Sequence, residues 1–117
     1  MPHTAADRPA DEPLPPRLLQ DTAALFGLLS ATVRLHILWL LADGDLDVGT
    51  LAEKCEQSVA TVSHHLAKLK LAGLVRADRQ GKRRIYVATD PEVLAMIRLA
   101  IGGRLDTPQS NSRVRHA

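Results

Sequence analysis

The 117-residue sequence holds a single cysteine, Cys55. One thiol excludes an internal disulfide and a cysteine-only metal cage, both of which need several sulfurs. Long apolar runs are also missing: the longest, Ile37 to Ala42, is six residues, where a membrane span takes about 20. The N-terminus has no basic start and no apolar stretch of the kind that marks a secretory signal. It carries Pro2, Pro9, Pro13, Pro15 and Pro16 among Asp7, Asp11 and Glu12. A soluble, cytoplasmic protein without a membrane partner is expected. There is no glycine-rich phosphate loop, no cluster of histidines, and no base-and-orienter set for Cys55, so the chain is not expected to be an enzyme. Its length allows one domain and no second core.

What is present is an uneven distribution of charge. The net charge is only +2, but Met1 to Glu56 carries a net −5, Gln57 to Thr89 a net +6 and Asp90 to Ala117 a net +1. A basic block confined to one stretch is the footprint of a nucleic-acid face, because cations that neutralise phosphates release bound counterions.

Residues 1–16 and 104–117 are polar, charged and proline-bearing, and read as flexible tails around an ordered unit at 17–103. Within that unit Leu18, Leu19, Thr22, Leu25, Phe26 and Leu29 recur at helical spacing and predict a helix over 17–29. Val33, Leu35, Ile37, Leu38, Leu40 and Leu41 predict a second, apolar on most sides and therefore central, ended by the turn Asp43-Gly44-Asp45. Asp47 caps a short third helix to about Glu56, with Leu51, Ala52 and Cys55 on one face. Ser58 caps a fourth over 59–72, stopped by Gly73. A helix as short as the third, followed closely by another, suggests a helix-turn-helix. Two strands, 74–78 and 83–88, then flank a loop Arg79-Gln80-Gly81-Lys82, as a wing does. Asp90-Pro91-Glu92 opens a last helix through Val93, Met96, Ile97, Ala100 and Ile101, which Gly102-Gly103 should end. The fold class is thus mainly α with a β-hairpin: a winged helix-turn-helix of five helices plus a wing.

On the fourth helix Val59, Val62, Leu66 and Leu69 fall in one arc that must face the core. The opposite arc displays Ala60, Thr61, Ser63, His64, Ala67 and Lys68, small or polar, with no carboxylate. Small residues let a helix enter the major groove, and hydroxyl and imidazole groups can bond base edges. The DNA-reading candidates are accordingly Ala60, Thr61, Ser63, His64 and Lys68, joined by Arg79, Lys82 and Arg83 of the wing for phosphates or the minor groove. Arg84, alternating with Ile85 and Val87, is expected to contribute less. His65 lies at the edge of the apolar arc and is expected to be half-buried. Trp39 shares a stripe with His36 and Asp43 and is read as packing beneath the first helix or the tail, with a small-molecule or partner contact as the alternative.

The segment Leu29 to Leu41 (LSATVRLHILWLL), then Leu51-Ala52-Glu53, Thr61-Val62-Ser63-His64-His65-Leu66, Leu69, Ala72-Gly73-Leu74-Val75, the basic hairpin and Tyr86 resemble the ArsR/SmtB family of repressors. The resemblance covers about residues 17–103. It implies a double-stranded DNA operator, probed by a homodimer built from the first and last helices, and repression relieved by a metal or another signal. The apolar faces of the terminal helices agree with a dimer, and Leu18, Leu25, Phe26, Val93, Ile97 and Ile101 are its candidate interface. Family sensors with thiolate sites place cysteines near the first helix of the helix-turn-helix, where this chain has Leu46-Asp47-Val48-Gly49-Thr50-Leu51. Cys55 is read as a buried structural thiol. At the family's other metal site Asp90 and Glu92 match the first ligand pair, while Gly103 and Asp106 stand where the second belongs. Carboxylates alone hold zinc, nickel or cobalt poorly. No cofactor is therefore expected. A metal-responsive repressor using Asp90, Glu92, Asp106 and the tail histidines His3 and His116 is the alternative, as is a winged helix used for protein contact.

Overall fold

The computed structural model describes residues 11–105. Pro16 occupies the first helical position, where its missing N–H leaves nothing unsatisfied, and opens α1 (Pro16–Leu29). α2 (Thr32–Leu41) follows after a one-turn break. A short strand β1 (Leu46–Asp47) leads directly into α3 (Val48–Cys55), which the Asp47 side chain caps by accepting the Thr50 N–H at 2.9 Å. α3 ends on Glu56 at φ 54, a left-handed position more often given to glycine, and the Gln57 N–H closes the turn on Ala52 O. α4 (Val59–Leu71) begins at Ser58, whose Oγ accepts the Thr61 N–H at 3.0 Å. It stops before Gly73 at φ +78. β2 (Val75–Gln80) and β3 (Arg83–Ala88) form the hairpin, and α5 (Pro91–Leu105) closes the described chain, capped by Asp90 Oδ1 accepting the Val93 N–H at 3.1 Å.

The five helices surround a core whose centre is Ile37 and Leu38 of α2, Leu51 of α3, and Val62, Leu66 and Leu69 of α4, all fully buried. α4 thus spends one whole face on the core and leaves the other to solvent. Among the described residues no single helix is long and apolar enough to cross a membrane.

Three elements depart from the expected layout. The antiparallel sheet has three strands in the order β1-β3-β2, because Leu46 pairs Tyr86 and Asp47 pairs Ile85. A two-residue strand carries no periodic signal of its own; pairing creates it. β3 is consequently central, and consecutive Ile85 and Tyr86 are both buried, with Tyr86 in the main core. Strand β2 continues to Gln80, which pairs Arg83, so the wing turn is only Gly81-Lys82. Gly81 at φ +63, with no positive φ at Lys82, fits a turn with glycine in its first central position. Finally, α5 runs through Gly102-Gly103 to Leu105. Glycine in a helix costs about 1 kcal/mol relative to alanine but stops a helix only by turning left-handed, and neither of these does.

Candidate nucleic-acid interface

The outward arc of α4 presents Ala60, Ser63, His64, Ala67 and Lys68 to solvent, with Thr61 half-buried. Thr61 is partly engaged: its hydroxyl accepts from Ser58 Oγ at 2.9 Å, which ties it to the start of the helix. No acid lies in the first turn, and Lys68 and Lys70 occupy the last, where cations suit the helix dipole. His65 is half-buried, as expected, and its ring meets that of His64 edge-on at 5.6 Å. Nη1 of Arg34 approaches His65 Nδ1 at 3.1 Å, while Nε of the same guanidinium donates to Leu28 O at 2.7 Å. Burial lowers the His65 pKa from its ordinary value, and repulsion from Arg34, His64 and Lys68 adds to it.

The wing cations divide into two groups. Arg76 is paired with Asp78 at 3.1 Å. Arg83, a candidate DNA contact on sequence, is held by Asp47: its Nη2 donates to Oδ2 at 2.7 Å and its Nε at 3.2 Å. The bonds from Thr50 and Arg83 drive the Asp47 carboxyl far below the usual carboxylate range. The salt bridges among described residues do not include Arg79, Lys82 or Arg84. Arg79 and Arg84 are direct cross-strand partners, and like charges so opposed repel one another unless an anion lies between or beside them. Between β3 and α4 lies a cleft of about 220 Å³ lined by Ser63, Leu66, Ala67, Lys70, Arg84 and Tyr86. Sequence reasoning set Arg84 aside and omitted Lys70. The alternation that puts Arg84 on the side of Tyr86 was the available signal, because Tyr86 faces the core and therefore α4.

The expected dimer residues also divide. Leu18 and Phe26 are 48% and 54% exposed, and Leu25 and Ile101 are half-buried. Val93 and Ile97, by contrast, are only 4% and 3% exposed and belong to the core of the single chain. On α5 the outward apolar positions are instead Leu99 and Leu105, at 79% and 69% exposed. A largely apolar groove of about 380 Å³ separates α1 from α5, with Phe26, Leu35, Met96 and Ile101 along it. Arg98 fastens α5 to the end of α2 through Ala42 O and Asp43.

The metal alternative gains little from the geometry. Asp90 is occupied as the cap of α5, Glu92 is an exposed first-turn acid, and Gly103 is helical. Asp106, His3 and His116 lie outside the described residues. Among the described residues no three His, Cys, Asp or Glu side chains come together. Cys55 is buried in the core, and burial pushes its thiol pKa up. Trp39 is half-buried against the same core.

Comparison with known proteins brings these features under one description. The model of the bacterial regulatory protein arsR family matches residues 32–77. The regulator KmtR of Mycobacterium tuberculosis is 35% identical over 86 residues, 74% of this chain and 66% of its own. The cadmium resistance transcriptional regulatory protein CadC homolog of Staphylococcus aureus is 36% identical over 68% of this chain and 67% of its own. The chain therefore spans about two thirds of the length of these relatives. Among solved structures, the homodimeric winged helix-turn-helix DNA-binding domain of Mb0332 from Mycobacterium bovis superimposes with a TM-score of 0.68, at 31% identity, over 80% of this chain and 86% of that one.

Proposed function

The chain belongs to the arsR family of bacterial regulatory proteins, winged helix-turn-helix regulators of transcription, and from that premise we propose that it binds operator DNA as a homodimer and represses transcription from it. α4 enters the major groove, with Ala60, Ser63, His64 and Lys68 toward the bases and Thr61 at its entry. The wing follows the flanking backbone. Arg79, Lys82 and Arg84 supply the phosphate contacts, and Lys70 joins Arg84 across the cleft. The observation that carries this reading is the acid-free outer arc of α4 standing beside a cleft with a cation on each wall.

Two-fold partners place two reading helices about one DNA turn apart, roughly 34 to 36 Å, so the operator is an inverted repeat. The partner surface is formed by α1 and the outer side of α5, through Leu18, Phe26, Leu99 and Leu105 with Leu25 and Ile101 at its edge. A mobility-shift assay on genomic fragments, competed with random duplex, tests the reading. A palindromic fragment retained against excess competitor is expected, and equal competition by any duplex refutes sequence reading.

The name of the CadC homolog ties that relative to cadmium, which favours examining a metal-relieved repressor as a second reading. The donor set speaks against it here. The one thiol is buried alone, and the α5 carboxylates have no imidazole beside them among the described residues.

A further inference from the structure

Leu28, Arg34 and His65 belong to three different helices, α1, α2 and α4, and one guanidinium joins them. Arginine stays protonated and donates only, so the His65 Nδ1 that it meets must be the accepting nitrogen, and the ring is neutral with its proton on Nε2. His65 lies on the half-buried side of α4, next in sequence to His64. A fixed hydrogen bond there adds to the core packing of Val62, Leu66 and Leu69 in holding the rotation of the helix about its axis, and so the direction of Ser63 and His64 on the outer arc. At the other end, Leu28 O belongs to the last turn of α1. The neighbouring Leu29 and Ser30 line the groove between α1 and α5.

We propose that Arg34 is a positioning residue that locks the reading helix to the last turn of α1 through neutral His65, so that a displacement of α1 reaches the DNA-facing arc. This rests on the reading of α4 as the DNA-reading helix. It also assigns His65 a role distinct from that of His64, which points outward. The charged and titratable groups acting on the His65 ring are Arg34 from α2, and His64 and Lys68 on α4 itself. All are cationic or neutral. Protonation converts Nδ1 into a donor facing a guanidinium, so the bridge exists above the depressed pKa and is lost as pH falls below the ordinary 6.5 and through it.

The test compares the full-length protein with Arg34→Gln, Arg34→Lys, His65→Asn and the Arg34→Gln, His65→Asn double variant, each first checked for native circular dichroism. Affinity for a selected genomic fragment and for random duplex is measured at about pH 7.5 and in steps below it, down to the lowest pH at which the dichroism stays native. Arg34→Gln and Arg34→Lys should each lower affinity for the fragment about fivefold, with random-duplex affinity and salt dependence unchanged. Asparagine at 65 places its Oδ1 where Nδ1 stands, can still accept from Arg34 and does not titrate. His65→Asn should therefore lose less of the preference in acid than the native protein does, any loss common to both arising elsewhere on the outer arc. The double variant should be no weaker than Arg34→Gln alone.

Equal loss on both DNAs with a shallower salt slope would make Arg34 a phosphate contact and overturn the proposal. So would a His65→Asn protein whose preference falls with pH just as the native one's does. That pH comparison decides the matter alone if the Arg34 variants do not fold. A native protein with no preference for any genomic fragment refutes the reading of α4 itself; a clear native preference with the pH dependence intact in His65→Asn refutes only the bridge.

Discussion

Lys82 stands in the two-residue turn of the wing, exposed and outside any salt bridge described, whereas its neighbour Arg83 is bound to Asp47 through two nitrogens. The two side chains, adjacent in sequence and equal in charge, should behave differently on DNA. Each phosphate contact contributes about 0.9 to the slope of log affinity against log salt, so removing Lys82 from both protomers of a dimer should flatten the slope by about 1.8. Between about 50 and 200 mM salt that corresponds to a roughly 12-fold smaller loss of affinity in Lys82→Ala than in the native protein. A monomer on DNA gives half the slope change. Arg83→Ala should leave the slope nearly unchanged and instead lower stability slightly, since it frees one oxygen of a carboxylate that Thr50 still holds. Filter binding or fluorescence anisotropy across that salt range, on one operator duplex, measures both. An unchanged slope for Lys82→Ala removes the wing tip from the interface. A slope flattened as much by Arg83→Ala shows that Arg83 leaves Asp47 for a phosphate, and the pairing argument is then wrong.

Glu56 holds a left-handed conformation that costs a non-glycine residue roughly 1 to 2 kcal/mol, against about 0.5 to 1 kcal/mol for the extra unfolded-state freedom of glycine. Glu56→Gly should accordingly stabilise the fold by about 0.5 to 1 kcal/mol, seen as a raised urea midpoint at constant m; a lowered midpoint means the glutamate makes a contact worth more than its strain. Phe26→Glu alters a residue 54% exposed in the single chain, so the protein should stay folded but sediment near 12.7 kDa rather than near twice that mass. Ile97→Glu, at a position 3% exposed, should unfold it instead, and a folded Ile97→Glu monomer would return that residue to the interface. Zinc, nickel, cobalt or cadmium at micromolar levels should change operator affinity less than about fivefold, below the usual scale of allosteric coupling. A tenfold loss reversed by chelator, and abolished by changing Asp90, Glu92 and Asp106, would restore the metal reading.

The features legible in the sequence were those set by residues close together along the chain. Asp47, Ser58 and Asp90 cap helices through amides three residues on, and Gly73 and Gly81 turn where positive φ is needed. The apolar arc of α4 follows from a 3.6-residue period, and Val62, Leu66 and Leu69 are buried where the pattern puts them, whereas Val59, expected in the same arc, sits at the open first turn and is 51% exposed. Spacing alone therefore determined five helices, a hairpin and an outer α4 arc without acids. Tertiary structure decided the rest, because its partners are far apart in sequence. Arg83 meets Asp47 across 36 positions and Arg34 meets His65 across 31, and no local period encodes either contact. β1 exists only because β3 lies beside it. The apolar residues of α5 show the same division: periodicity marks Val93, Ile97 and Ile101 as one stripe, but only packing against α2 determines that the first two belong to the core of one chain and that Leu99 and Leu105 are left outside it.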